Sequence, residues 1–211
     1  MAITLVGGLK GGSGKSTLAT NIAAYRASKE QDLLLVDANV EQRSSAAWAE
    51  RREESGLAAI TCIEKSGNLF KSLNQLRERY DHIIVDSGGQ DSKEFRTALL
   101  AADILITPLR PSQFDNETIT YVISLVEQAR EMNPDLKAYL VFCQAHPNPR
   151  VGHLSESREL AGDIEDFTLL DAYTTFTSKY IDAVPAGAGV VEMGKSKSAN
   201  EIVAIINEVY S

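Results

Sequence analysis

Residues 10–17 (KGGSGKST) hold the densest chemical signal in the chain. A polyphosphate demands many hydrogen-bond donors and little steric bulk. Gly11, Gly12 and Gly14 let the backbone bend so that successive N–H groups converge on one anion, with Ser13 carried between them. A helix predicted to begin near Ser16 adds its positive N-terminal end. Lys15 reaches the outer phosphates as a point charge, the Ser16 hydroxyl suits Mg²⁺, and Thr17 lies beside the inner phosphate. The general pattern is G-x-x-x-x-G-K-[ST]; here Leu9 stands where its first glycine belongs. A glycine-rich turn without a nucleotide would leave three glycines and two lysines within six residues unexplained.

Such a loop needs a strand before it and a helix after it. Apolar runs over 3–8, 33–37, 59–63, 82–86, 103–107, 138–143 and 167–170 are predicted strands, the fifth stopped by Pro108. Helical spacing covers 16–29, 44–54, 69–80, 95–102, 116–132, 154–164 and 199–210. Continuous apolar strands alternating with helices predict an α/β fold of three layers, a mostly parallel sheet with helices on both faces. Ligands of such sheets bind beyond the carboxyl ends of the strands. Asp37 and Asp86 are the last residues of two of these runs. The 211 residues are expected to form a single domain.

Composition narrows the remainder. The chain has 44% hydrophobic and 24% charged residues, which excludes a disordered chain. The formal charge of −8 excludes a polycation, so any nucleic-acid contact needs a local basic patch. Cys62 and Cys143 lie in apolar runs and read as buried, reduced thiols. No Cys/His spacing suggests zinc, and no run approaches a membrane span. The N-terminus lacks signal-peptide character, and a cytoplasmic location is expected. His82, His146 and His153 are scattered and read as incidental.

The lysine opening K-G-G-x-G-K-[ST] resembles the deviant Walker A motif of the ParA/MinD family of ATPases, and the likeness runs over most of the chain. The resemblance implies ATP and Mg²⁺, and a homodimer that sandwiches ATP. Lys10 would cross the dimer interface to the partner's nucleotide, as an arginine finger does. Asp86 would be the Walker B acid that orders a Mg²⁺-bound water, and 87–89 (SGG) a γ-phosphate sensor. Residues 103–111 and 190–192 are similar to later family segments; the loop 108–115 is a candidate source of adenine contacts, which the sequence does not fix. The family's second motif usually reads D-x-D-P. Asp37 matches its first acid, but Asn39 stands for the second, which orients the attacking water. An amide can bind a water but cannot take a proton, which implies slow turnover. A turn-capping role for Asn39 is the competing reading.

The resemblance further implies nonspecific DNA binding by the ATP dimer, a nucleoid location in that state, a centromere-binding ParB-type adaptor that stimulates hydrolysis, and replicon partition as the output. Positioning of a protein cargo is the alternative. Arg150, Arg158, Lys179, Lys195 and Lys197 are the candidate DNA contacts. Against them, residues 137–211 hold six Lys/Arg and ten Asp/Glu, so a scatter of solvated lysines is the rival reading. The last helix carries Glu201 and Glu208 on its polar side, which argues against membrane binding. An iron–sulfur carrier on the same loop would need a cysteine soon after Asp86, and 86–92 has none. A metabolic phosphotransferase is a further alternative that fold alone does not separate.

Overall fold

The structure is a computed structural model and describes residues 1–111, 116–148, 150–151 and 153–211. The first part of the chain alternates β1 (Ala2–Val6), α1 (Lys15–Ala27), β2 (Leu33–Asp37), α2 (Ser44–Glu54), β3 (Thr61–Glu64), α3 (Phe70–Arg77), β4 (His82–Asp86) and α4 (Lys93–Leu99). It continues with β5 (Ile104–Leu109), α5 (Asn116–Arg130), β6 (Lys137–Phe142), α6 (Leu154–Gly162), β7 (Thr168–Leu169), α7 (Ser178–Ala183) and α8 (Lys197–Tyr210). The strands form one sheet in the order β3-β2-β4-β1-β5-β6-β7, and every pairing is parallel.

Alternation along each strand builds two cores. Leu34 and Val36 of β2, with Ile83 and Val85 of β4, join Leu73, Phe95 and Val122 on one face. Leu33 and Leu35 with Ile84 join Leu18, Trp48 and Ile205 on the other. Each strand is thus apolar on both sides, as a parallel sheet sandwiched by helices requires. The expected three-layer α/β architecture is what the chain adopts.

Register is what matters for chemistry. Val6 pairs with Asp86, Asp86 with Asp37, and Asp37 with Glu64. Four strand ends therefore lie in one row, and the glycine loop leaves β1 from the middle of the sheet, between β4 and β5.

Two expectations need correction. β5 does not stop at Pro108 but runs to Leu109. Its pairing with β1 ends at Ile106, whose carbonyl accepts from Gly7 N–H (3.0 Å) on that side, while the Leu109 carbonyl accepts from Cys143 N–H (2.7 Å) on the β6 side. Alternation turns the Pro108 nitrogen toward the β1 side, past the end of the ladder, so its missing N–H breaks no bond. The second correction is α7, which was not expected. It is six residues long, too short for a periodic pattern to register.

The segment after α7 closes over α1 and α2. Arg52, only 1% exposed, makes a two-pronged ion pair with Glu192 (2.6 and 2.8 Å) and donates to the carbonyls of Gly187 (2.9 Å) and Ala58 (2.7 Å). Trp48 Nε1 donates to the Ala188 carbonyl (3.1 Å), and Asn21 Oδ1 accepts from Val190 N–H (2.8 Å). Gly187 has φ +58, and a Cβ there would collide with the Arg52 backbone, so only glycine allows this approach. Glu192→Ala is expected to cost about 3–5 kcal/mol, because it leaves a buried guanidinium without its counter-charge. A urea midpoint equal to that of the parent protein would contradict this.

Candidate nucleotide-binding site

The loop after β1 is built to hold an anion. Its last glycine, Gly14, precedes α1 with φ 101 and ψ 17, a left-handed conformation that favours glycine. No side chain caps α1, so the first N–H groups of the helix lack a side-chain acceptor and face the loop's concavity. Lys15 is 7% exposed, and its Nζ donates to the Lys10 carbonyl (2.6 Å). Burial holds its ammonium below the ordinary lysine value, with the Asp86 charge pulling it back up. Ser13 is buried and its Oγ donates to the same Lys10 carbonyl (3.3 Å). Gln144, just past β6, donates from Nε2 to the Gly12 carbonyl (3.0 Å) and braces the loop from the far side.

The two strand-end acids meet different fates. Asp37 is fully buried, and three backbone N–H groups occupy its carboxylate: Asn39 (3.0 Å) on Oδ1, Ser45 (3.0 Å) and Ala46 (2.9 Å) on Oδ2. It ties the start of α2 to the sheet. Asp86 is also buried, yet only Oδ2 is satisfied, by the Ser45 hydroxyl (2.6 Å). Its Oδ1 has no hydrogen-bond partner. Burial pushes the Asp86 carboxyl up to about 6; the hydroxyls of Ser45 and Ser16 and the Lys15 charge oppose this, and Asp37 reinforces it. A lone buried carboxylate oxygen beside a serine hydroxyl is an oxygen donor set suited to a hard divalent cation such as Mg²⁺.

A cleft of about 430 Å³ opens over the loop, with Asp37 and Asp86 buried behind its lining. Gly11, Lys15, Ser16 and Thr17 form its floor, Asn39 and Gly89 one wall. A Cβ on Gly89 would sit 3.1 Å from Lys15 Nζ and 3.0 Å from Gly11, so the loop after β4 lies directly on the phosphate loop. Asn39 Nδ2 donates to Gln42 Oε1 (3.0 Å), and its amide lies against Gly88. An adjoining cavity of about 390 Å³ shares Gly14, Thr17 and Gln144 with the cleft and is lined by Leu18, Phe176 and Tyr180. Its lining comes from α1, the segments after β6 and β7, α7 and α8; the loop 108–115 is the expected source of adenine contacts. Residues 112–115 of that segment lie outside the described residues.

Arg158 and Lys197 line a shared groove of about 880 Å³ that Arg150, Lys179 and Lys195 do not line. Arg150, Lys179 and Lys195 are each exposed. Arg158 pairs with Asp171 (2.8 Å) and Lys197 approaches Glu201 (3.8 Å). Among the described residues there is no cluster of three or more His, Cys, Asp or Glu that could hold a metal, and no helix long and apolar enough to cross a membrane. Sequence reasoning missed Ser45 and Gln144. Gln144 left a usable signal: it is a polar residue directly after an apolar strand, the position type that flagged Asp37 and Asp86.

A parallel sheet with a glycine loop at the end of its central strand and acids at the neighbouring strand ends defines a P-loop nucleotide-binding fold. A family model described as an AAA domain matches residues 53–138. The maintenance of carboxysome distribution protein A of Halothiobacillus neapolitanus is 29% identical over 215 residues, covering 99% of this chain and 96% of that protein. Protein ParA of Rhizobium radiobacter is 27% identical over 149 residues, covering 70% of this chain and 66% of that one. The solved structure of the septum site-determining protein MinD from Pyrococcus horikoshii, complexed with Mg-ADP, matches with a TM-score of 0.75 at 16% identity, covering 99% of this chain and 95% of that chain. The chain is thus similar in sequence to the carboxysome-distribution protein A and to ParA, and similar in fold to MinD.

Asp37→Ala is expected to lower stability by about 1–3 kcal/mol by stripping the acceptor from the start of α2. An unchanged denaturation midpoint would show that these bonds contribute nothing.

Proposed function

We propose that the 211-residue chain acts as a single ATPase domain that hydrolyses ATP with Mg²⁺ and uses the cycle to switch between monomer and homodimer. The observation that carries this reading is Asp86, whose buried Oδ1 has no hydrogen-bond partner and whose carboxyl interacts with Ser16 and Lys15 of the phosphate loop. Asp86 and Ser16 would hold Mg²⁺, which neutralises charge on the phosphates when bound. Residues 11–17 and Lys15 would bind the phosphate chain through backbone N–H groups and one cation. The cavity lined by Leu18, Phe176 and Tyr180 would take the nucleoside. Asn39 donates from Nδ2 to Gln42, which leaves its carbonyl oxygen to orient an attacking water. Asp37, with both oxygens occupied, would position the segment that carries Asn39 instead of touching the reacting atoms.

Lys10 would act in trans on the partner's nucleotide. Two triphosphates face to face repel, and a cation from each subunit offsets that, so the dimer should depend on ATP. Light scattering should find a dimer with ATP, a monomer with ADP, and a monomer with ATP for Lys10→Ala; an ATP dimer in that variant would remove Lys10 from the interface. Asn39→Asp should raise single-turnover hydrolysis several-fold by restoring a group that can accept a proton, in the range general bases contribute or below. An unchanged rate would take Asn39 out of the mechanism.

The ATP dimer would hold nonspecific DNA and so associate with the nucleoid in the cytoplasm, and an adaptor on the cargo would trigger hydrolysis. If each subunit neutralised about three phosphates, the salt slope would move from about −2.7 to about −5.4 on dimerisation. The pairing of Arg158 and Lys197 with acids makes this the weaker part of the reading. Two cargoes remain in play. A replicon would require a ParB-type centromere-binding adaptor. A large protein assembly is supported by the relative that matches nearly end to end, whose name refers to carboxysome distribution, whereas the ParA match covers 70% of this chain.

A further inference from the structure

Several arginines around the sheet are paired with carboxylates. Arg43, Arg52, Arg77, Arg96, Arg130 and Arg158 each pair with a carboxylate. Arg110 does not. It follows β5, is half-buried, and its Nε is cut off from water with no hydrogen-bond partner. Its guanidinium lies against the phosphate loop, with Nη2 3.7 Å and Cζ 3.9 Å from where a Cβ on Gly12 would stand. It also lines the same cleft as Lys15, Ser87 and Gly89.

A guanidinium nitrogen cut off from water without a partner is costly, and an anion on the fork offsets that cost. Among the described residues no carboxylate supplies that anion, whereas the part-buried Arg77, Arg130 and Arg158 each have one; Arg26, the other arginine with a buried unpartnered Nε, has Gln31 and the Tyr210 ring instead. Position decides the alternative: the end of β5 is one strand away from the loop, on the opposite side from Asp86. A phosphate chain cradled by residues 11–16 would therefore have Lys15 beneath it, the Asp86 site on one flank and Arg110 on the other. The planar fork suits two phosphate oxygens at once, which a lysine cannot match.

The geometry points to Arg110 as a further phosphate-binding residue of this cleft, acting on nucleotide held by its own subunit. This rests on the reading of the cleft as a nucleotide site. Because the contact is made within one subunit, it operates with ADP as well as with ATP, before any dimer forms.

The test is calorimetric titration of Mg-ADP, and of a non-hydrolysable ATP analogue, into the parent protein, Arg110→Ala and Arg110→Lys, with thermal unfolding of each free protein as the control. About a ten-fold loss of affinity for both nucleotides in Arg110→Ala is expected, in line with one charge-assisted contact. Partial recovery in Arg110→Lys and unchanged unfolding temperatures complete the expected result. Equal affinities in parent and Arg110→Ala would overturn the assignment while leaving the nucleotide site intact. A loss confined to ATP-dependent dimerisation, with ADP binding unaffected, would overturn it too, since the residue would then act across the interface. A parent protein that binds neither nucleotide would instead defeat the underlying reading of the cleft. If Arg110→Ala fails to fold, Arg110→Gln at a matched unfolding temperature gives the same decision.

Discussion

Everything in this molecule that could do chemistry depends on the register of three parallel strands. Val6, Asp86 and Asp37 stand in one row, so the glycine loop leaves the sheet beside a buried acid. The pairing is enforced from both faces. Moving β4 by one residue would turn Ile83 and Val85 away from one core and Ile84 away from the other, and it would carry Asp86 off the loop. A site made of strand ends inherits the rigidity of the sheet beneath it, and that rigidity lets a carboxylate stay buried with one oxygen unsatisfied.

The contrast between the two acids shows how the fold divides labour. Asp37 receives three backbone N–H groups and is complete without any ligand. Asp86 accepts from the Ser45 hydroxyl on Oδ2 only and is raised to about 6 by burial, with the Ser16 hydroxyl also opposing that rise. Ser45 links them, giving its N–H to Asp37 and its hydroxyl to Asp86. The start of α2 is therefore fastened to the floor of the cleft. From there, Trp48 and Arg52 fasten the same helix to the 187–192 segment, so the cleft's floor and the C-terminal segment share one support.

Much of this was legible from sequence because it rests on local rules. Continuous apolar runs ending in Asp fixed β2 and β4 to the residue, since a parallel strand buried on both faces needs unbroken apolar character. The glycine loop was legible because its residue types have no other use. What stayed hidden depends on contacts between distant segments. Pro108 looked like a strand stop; only the early end of the β1 ladder makes it harmless. The job of Asp37 depends on residues 45 and 46 folding back onto it. The apolar cavity beside Thr17 is assembled from α1, the segments after β6 and β7, α7 and α8, and no single stretch of sequence announces it. Arg110 was passed over inside an apolar segment because its significance is the absence of a partner, which a sequence does not display.

The central claim is that nucleotide phosphates occupy the concavity of residues 11–16, with the free oxygen of Asp86 turned toward their metal. A crystal structure with Mg²⁺ and a non-hydrolysable ATP analogue tests it most directly. The account predicts phosphates cradled by that loop, Asp86 Oδ1 within reach of a metal-bound water, and two subunits closed face to face with each Lys10 amine on the neighbour's ligand. A nucleotide bound elsewhere, or a lone subunit enclosing its ligand with Lys10 turned to solvent, would contradict it.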